Sequence, residues 1–286
     1  MAHGTPTSLD EMPEYLRLVR GGRPPSDELV AEMRHNYEAI GGRSPLTEIT
    51  RAQAGALQER LGSTIPVVVG MRNWKPFISE ALGELGRAGV ERVVAIPLAP
   101  QFSSLSVQKY IDVATAALPS GMRLDPIRSF HVHPILLDAF AERVKMAARP
   151  DRKESVVFTA HSLPLRTIQA GDGYADEVAA TARGVAERSG IAEYELAYQS
   201  AGRTPEPWIG PDLNEFIVQR WEQKGVSDFL VVPVGFVCDH TEILFDIDIM
   251  AANTAFNVGA TLTRTESLNV APRFIDLLED LVRSKL

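Results

Sequence analysis

The stretch Val156-Val157-Phe158-Thr159-Ala160-His161-Ser162-Leu163-Pro164 constrains the fold more than any other part of the chain. A short apolar run rich in β-branched residues reads as a buried strand of a parallel sheet. Ser162 and Pro164 stop it, since proline cannot donate to a ladder. The strand therefore ends on His161. Ligands of open α/β sheets sit at the carboxyl ends of strands, so an imidazole there faces a crevice while its backbone is anchored. Taken alone, the same residue equally fits a turn or a helix cap.

A second run, Phe229-Leu230-Val231-Val232-Pro233-Val234-Gly235-Phe236-Val237, leads into Cys238-Asp239-His240-Thr241-Glu242-Ile243-Leu244-Phe245-Asp246. Two strand ends thus deliver His161, His240, Glu242 and several aspartates toward one crevice. Glu242 and Asp246 are four apart and share a face if the segment is helical. Imidazole with carboxylates is a ligand set for a divalent first-row metal, and equally a set for proton transfer.

The rest of the chain alternates strands and helices. Residues 66–70, 93–98 and 124–130 read as strands, and 26–39, 47–61 and 134–147 as helices, with Ser26 a candidate N-cap. Further helices start near Pro76 and carry Tyr110. In the second part, strands at 194–198 and near Thr261 alternate with helices over 173–189, 212–224, from Glu242, and 272–286. This predicts a doubly wound parallel α/β architecture. The polar residues 149–155 divide it into halves, 1–148 and 149–286, with the last helix, about 272–286, packing back on the first half. Ala2-His3-Gly4-Thr5-Pro6 echoes Ala160-His161-Ser162-Leu163-Pro164, which suggests two similar halves facing across a cleft. It also reads as the end of a strand whose beginning is absent. Either the start site is assigned too late or the first strand is very short.

Composition narrows the function. The 286 residues are 45% apolar and 23% charged, enough for a sizeable core. The net charge of −8 argues against a general partner for nucleic acid or an anionic membrane. Cys238 is the single cysteine. It excludes an intrachain disulfide and a cysteine-ligated iron–sulfur cluster, and it fits a reducing cytoplasm. No apolar run reaches the roughly 18 residues of a membrane span, and no signal peptide is visible. No Gly-x-Gly-x-x-Gly or Walker-type loop follows a strand, so a nucleotide-binding α/β domain lacks its phosphate cradle. His35, His131 and His133 carry no motif and read as surface or packing residues.

The motifs His161-Ser162-Leu163-Pro164, Gln199-Ser200 through Trp208-Ile209-Gly210-Pro211, and Pro233-Val234-Gly235-Phe236 through His240-Thr241-Glu242-Ile243-Leu244, in that order, resemble the ferrochelatase family over nearly the whole chain. The resemblance implies two Rossmann-like halves around a porphyrin cleft, and insertion of ferrous iron in haem synthesis. The Ala2-His3-Gly4-Thr5-Pro6 start, the short length, and the lack of a membrane anchor and of clustered cysteines resemble the soluble bacterial type. That type metalates coproporphyrin III, and Fe-coproporphyrin is later decarboxylated to haem b. The protoporphyrin IX type is the close alternative. Iron and coproporphyrin III are then substrates, no cofactor is permanently bound, and a transient partner for product handover is conceivable.

On this resemblance His161 and Glu242 fall on catalytic and metal positions, with Asp246 continuing toward the metal route. Tyr37, Ser44, Tyr110 and Arg20 fall on positions contacting the porphyrin or its propionates. Three positions depart. His3 stands where the coproporphyrin type has a tyrosine that ligates product iron, Asn36 where an arginine often sits, and Met250 where an acidic residue continues the row. A thioether cannot hold a hydrated divalent cation as a carboxylate does. Trp208, Phe102 and Arg72 are further candidates for the crevice. Two other readings stay open: a chelatase for another metal or tetrapyrrole, such as cobalt into a sirohydrochlorin, and a non-catalytic haem or porphyrin carrier.

Overall fold

The computed structural model describes residues 1–149, 152–202 and 204–286. Pro150 and Asp151 of the expected linker, and Arg203 of the Gln199-to-Pro211 segment, lie outside the described residues. A single 3₁₀ turn, Leu9–Glu11, opens onto α1 (Met12–Val19), α2 (Asp27–Ala39), α3 (Leu46–Leu61) and α4 (Ile78–Arg87). The first sheet pairs β1 (Arg92–Ala95) in parallel with β2 (Arg123–Pro126). Helix α5 (Val107–Ala116) connects the two strands, and α6 (Pro134–Ala147) follows. Ser26 caps α2 as its sequence suggests, its Oγ accepting from the Leu29 amide at 3.3 Å.

The second sheet orders β4-β3-β5-β6, all parallel. Its strands are β3 (Ser155–His161), β4 (Glu195–Gln199), β5 (Asp228–Pro233) and β6 (Thr261–Arg264). Between them run α7 (Leu165–Gln169), α8 (Tyr174–Ser189), α9 (Leu213–Lys224), a π-helix (Glu242–Ala251) and α10 (Ala252–Asn257), and α11 (Pro272–Arg283) closes the chain. Helix α9 starts on an Asp212 cap and stops at Gly225, whose φ of 63° is left-handed backbone that glycine adopts freely.

Parallel strands are covered on both faces, and this sheet shows it. Val157, Phe158 and Ala160 of β3 and Val231 and Val232 of β5 have no exposed surface. One face packs on α6, α8 and α11, the other on Leu213, Phe216 and Ile217 of α9 and Ile243 and Ile247 of the π-helix. The first core also takes in Leu57 and Leu61 of α3, so it is continuous across the two sheets.

Several elements differ from the reading of the sequence. Residues 66–70 run without a ladder, because Met1 and Ala2 beside them reach only their far end, where the Ala2 amide meets the Gly70 carbonyl at 3.2 Å. Strands β1 and β2 stop at Ala95 and Pro126, short of residues 98 and 130, and the short helix α7 was not apparent from the pattern. The histidines without motifs have packing contacts. His133 accepts from the Ile135 amide at the start of α6 and meets Asp280 of α11 at 3.0 Å. His131 meets Ser129 at 2.7 Å, and His35 lies edge-on to Phe245.

Candidate active site

The site forms where β3 and β5 release the chain. His161 is the last residue of β3, and its carbonyl accepts from the Tyr174 hydroxyl at 3.0 Å. Ser162 is pinned twice, its amide to the Gln199 carbonyl and its Oγ to the Ile209 carbonyl, each at 2.7 Å. The strand end therefore cannot swing. After β5 the chain crosses over that end at Gly235, whose amide donates to the Thr159 carbonyl at 3.2 Å. A Cβ at Gly235 would sit 2.8 Å from the Cα and Cβ of Ala160, so only glycine permits the crossing. The loop is then fixed by Asp239, which accepts from Ser267 Oγ at 2.7 Å and Asn269 Nδ2 at 2.8 Å. It ends at the π-helix, which begins with Glu242.

That path sets His161 Nδ1 2.8 Å from Glu242 Oε2. Both side chains are about one-third exposed, 33% and 38%. Burial opposes ionisation of both, but their mutual attraction wins: Glu242 is held down at about 2 and His161 is raised above its ordinary value. The Glu242 main chain is braced by Gln199 Nε2, 3.2 Å from its carbonyl. Four residues on, Asp246 accepts a hydrogen bond from Ser200 Oγ. Burial raises Asp246 to about 6; the Ser200 bond opposes this, and the Glu242 charge adds to it. Met250 ends the row and is 45% exposed, while Ile243, Phe245 and Ile247 turn inward. π-Helical turns are rare and concentrate at functional sites.

His240 lies tilted against Phe236, ring centres 4.6 Å apart, and places Nδ1 3.0 Å from the Cys238 carbonyl. Burial lowers its pKa. From the first half comes His3, with Asn73 Nδ2 at 3.1 Å from Nε2 and 3.3 Å from Nδ1. Burial, followed by the Arg72 charge, lowers His3 to about 4; Glu242, His240 and His161 also act on it, which places it in the same crevice. His3 leans edge-on to Tyr15, and Tyr15 to Trp74. Gly4 lets this strand end approach Trp74 closely, since its φ is +83° and a Cβ would lie 2.8 Å from the Trp74 amide.

Tyr37 of α2 and Tyr110 of α5 are buried, and burial pushes both to about 12. The Arg72 guanidinium lies 5.0 Å over the Tyr110 ring. The structure thus gathers His161, Glu242, Asp246 and His3, with Tyr37 and Tyr110 close enough to feel the Glu242 charge. Ser44 is buried and accepts from the Leu46 amide at 3.4 Å, at the start of α3. Asn36 is half-buried on α2 and Arg20 is exposed just after α1. Trp208 is half-buried and donates to Thr204 Oγ1, and Phe102 lies under Arg128. Among the described residues no group of three or more His, Cys, Asp or Glu is placed to hold a metal ion, so the His161–Glu242 pair leaves most positions of a cation to other donors. Sequence reasoning gave no individual role to Asn73, Ser200, Gly235 or Asp239, although the last three stand in the stretches it quoted. Asn73 and Ser200 follow stretches read as strands, which was the available signal.

The parallel sheet with an imidazole–carboxylate pair at its carboxyl edge is built on the fold of the chelatases. SirB from Bacillus subtilis with Fe3+ shares the fold at a TM-score of 0.61 and 14% identity, over 83% of this chain and 88% of that one. The family model for ferrochelatase matches residues 1–286. The ferrochelatase of Deinococcus radiodurans is 43% identical over 100% of this chain and 94% of that protein. The coproporphyrin III ferrochelatase of Geobacillus sp. is 38% identical over 100% and 96%. The chain belongs to the ferrochelatase family and is a porphyrin metal chelatase.

Proposed function

We propose that this chain inserts Fe²⁺ into coproporphyrin III, giving Fe-coproporphyrin III for haem b synthesis in the cytoplasm. The observation that carries the reading is the His161–Glu242 pair, 2.8 Å apart at the carboxyl edge of the second sheet. Metalation releases two pyrrole protons, strips water from the iron and bends the ring. With Nδ1 held by an ionised Glu242, a neutral His161 keeps the Nε2 lone pair free for a pyrrole proton or for Fe²⁺. Four ring nitrogens supply the donors that the protein pair lacks. Asp246 stands next along the π-helix as the approach for iron, and Met250 ends that row without a charge.

The macrocycle is an apolar plate with carboxylate arms, and it needs aromatic walls with a few rim donors. Tyr37, Tyr110, Asn36, Ser44 and Arg20 are assigned to that rim, and His3 to the iron of the product. Four propionates offer more handles than two for binding energy that bends the ring. The coproporphyrin assignment is supported by the name of the Geobacillus relative; the Deinococcus relative's name leaves the porphyrin open.

The test is anaerobic Fe²⁺ insertion into coproporphyrin III and protoporphyrin IX by the wild type and His161→Ala. Preference for coproporphyrin, lost in the variant, is expected. Preference for protoporphyrin overturns the substrate. Tight binding of the iron product without turnover on either ring overturns catalysis in favour of a carrier.

A further inference from the structure

The segment that joins β6 to α11 holds the chain on both sides of Glu242. Before Glu242 it holds Asp239. The Ser267 hydroxyl donates to Asp239 Oδ1 at 2.7 Å, and Arg264 Nη1 lies 3.3 Å from the same oxygen. After Glu242 it holds Asp248 of the π-helix, whose carboxylate accepts from Arg264 Nε at 2.6 Å and from Nη2 at 2.9 Å. The planar guanidinium thus forks between two carboxylates, one on either side of the residue that meets His161.

Asn269 completes the hold on Asp239. Its Oδ1 accepts from the Asp239 amide at 2.9 Å, and its Nδ2 donates to Asp239 Oδ2 at 2.8 Å. Its own amide donates to the Val237 carbonyl at 2.9 Å. Together these bonds fix the stretch that carries the chain from β5 to His240 and Glu242. Closing this ring takes a short side chain with an acceptor and a donor side by side. An ionised aspartate has no donor, and leucine has neither. The backbone at Asn269 has a φ of 46°, left-handed geometry that asparagine adopts more readily than most residues.

The same residue ties the loop to the first half. The Asn269 carbonyl accepts from Gln53 Nε2 at 2.8 Å, and Gln53 is 1% exposed on α3. Helix α3 begins at Leu46, whose amide donates to Ser44 of the proposed porphyrin rim. The carboxylate side of the cleft is therefore referred, through one asparagine, to the helix behind that rim.

We propose that Asn269 is a positioning residue for metal insertion, holding the loop over 237–240 so that Glu242 meets His161. It touches no reacting group and acts only through the loop. Its effect on turnover rests on the His161–Glu242 pair carrying the insertion, as proposed for the cleft.

The test is anaerobic Fe²⁺ insertion into the porphyrin that the wild type metalates, with kcat read per folded molecule and the folded fraction taken from denaturant melts. Asn269→Asp sets two carboxylates against each other. It is expected to lower kcat about tenfold or more while the porphyrin KM stays within about twofold. Adding Asp239→Asn puts a donor opposite an acceptor again, with the bond reversed, and is expected to recover most of kcat. A wild-type kcat in Asn269→Asp overturns the proposal, and so does a loss that the second substitution fails to recover. Should Asn269→Asp not fold, Asn269→Gly keeps the left-handed backbone and both main-chain bonds and removes only the side-chain clamp. An unchanged kcat there overturns the proposal equally. Glu242→Gln in the same assay separates the two layers. Full turnover by that variant removes the role of the pair, whereas an impaired Glu242→Gln beside an unimpaired Asn269→Asp removes only the role of Asn269.

Discussion

His161 Nδ1 and Glu242 Oε2 meet at 2.8 Å although they are 81 positions apart in the chain, His161 held by the end of β3 and Glu242 by a loop braced through Asp239 and Gln199. Because Glu242 is lowered and His161 raised, their attraction is complete only between the two titrations. It is lost below about pH 4.5, progressively toward 2, as Glu242 protonates, and lost above 6.5 as His161 gives up its proton.

Catalysis that uses neutral His161 should therefore show an acid limb in kcat/KM above pH 6.5. In Glu242→Gln burial opposes ionisation of the imidazole with only the Asp246 charge left to favour it, so the midpoint should fall from its wild-type position while turnover drops about 10²-fold or more. Imidazole proton shifts followed by NMR across pH 4 to 9 check the assignment, and an unmoved midpoint in the variant counts against it.

Gly235→Ala should disturb the site without touching any reacting group. The added Cβ would overlap Ala160 at 2.8 Å and push the strand end that bears His161. A loss of about 1–3 kcal/mol in stability is expected from such overpacking, together with a fall in kcat. Denaturant melts and steady-state rates on the same sample separate the two effects.

Asp246 and Met250 bear on iron delivery. Asp246→Asn should raise KM for Fe²⁺ several-fold with kcat nearly kept, and Met250→Glu should lower that KM by restoring a carboxylate to the row. With its pKa raised to about 6, Asp246 adds stability in its protonated form, so that contribution is present at low pH and lost as pH rises through about 6. An iron titration of initial rates at fixed porphyrin checks the first pair of expectations.

His3 should remain neutral down to about pH 4, which an NMR titration of its ring reads directly. His3→Ala should leave metal insertion measurable and change the visible spectrum of the bound iron product. An identical spectrum removes His3 from the iron.

Phe158→Ala should cost about 3–5 kcal/mol, since Phe158 has no exposed surface at the centre of the second sheet. Urea melts of the variant against the wild type give the figure.

Much of the second half was legible because its strands are fully buried apolar runs, and a run such as 156–160 has no other stable use. His161 and Glu242 could be read as neighbours since each stands where a buried run ends. That residues 66–70 form no ladder could not be read from that segment, because an apolar run says that it suits a strand and not which neighbour it pairs with. The contacts of Asn73 and Ser200 were invisible for a different reason. Each depends on a backbone turn, φ near 60° at Ser200, that brings a short polar side chain to a group far along the chain. Arg20 and Asn36, proposed for the rim, have no pattern that distinguishes them from ordinary surface positions.

Helix α11 buries Phe274, Ile275, Leu277, Leu278, Leu281 and Val282 against α3 and α6, and Arg60 reaches Asp276 at 2.9 Å. The final helix is thus a wall of the core to which Leu57 and Leu61, far upstream, belong. During synthesis the early part of the chain emerges with that wall missing and its apolar surface open to solvent. The core that α3 shares is complete only with α11 in place, so its native closure couples residues more than two hundred positions apart.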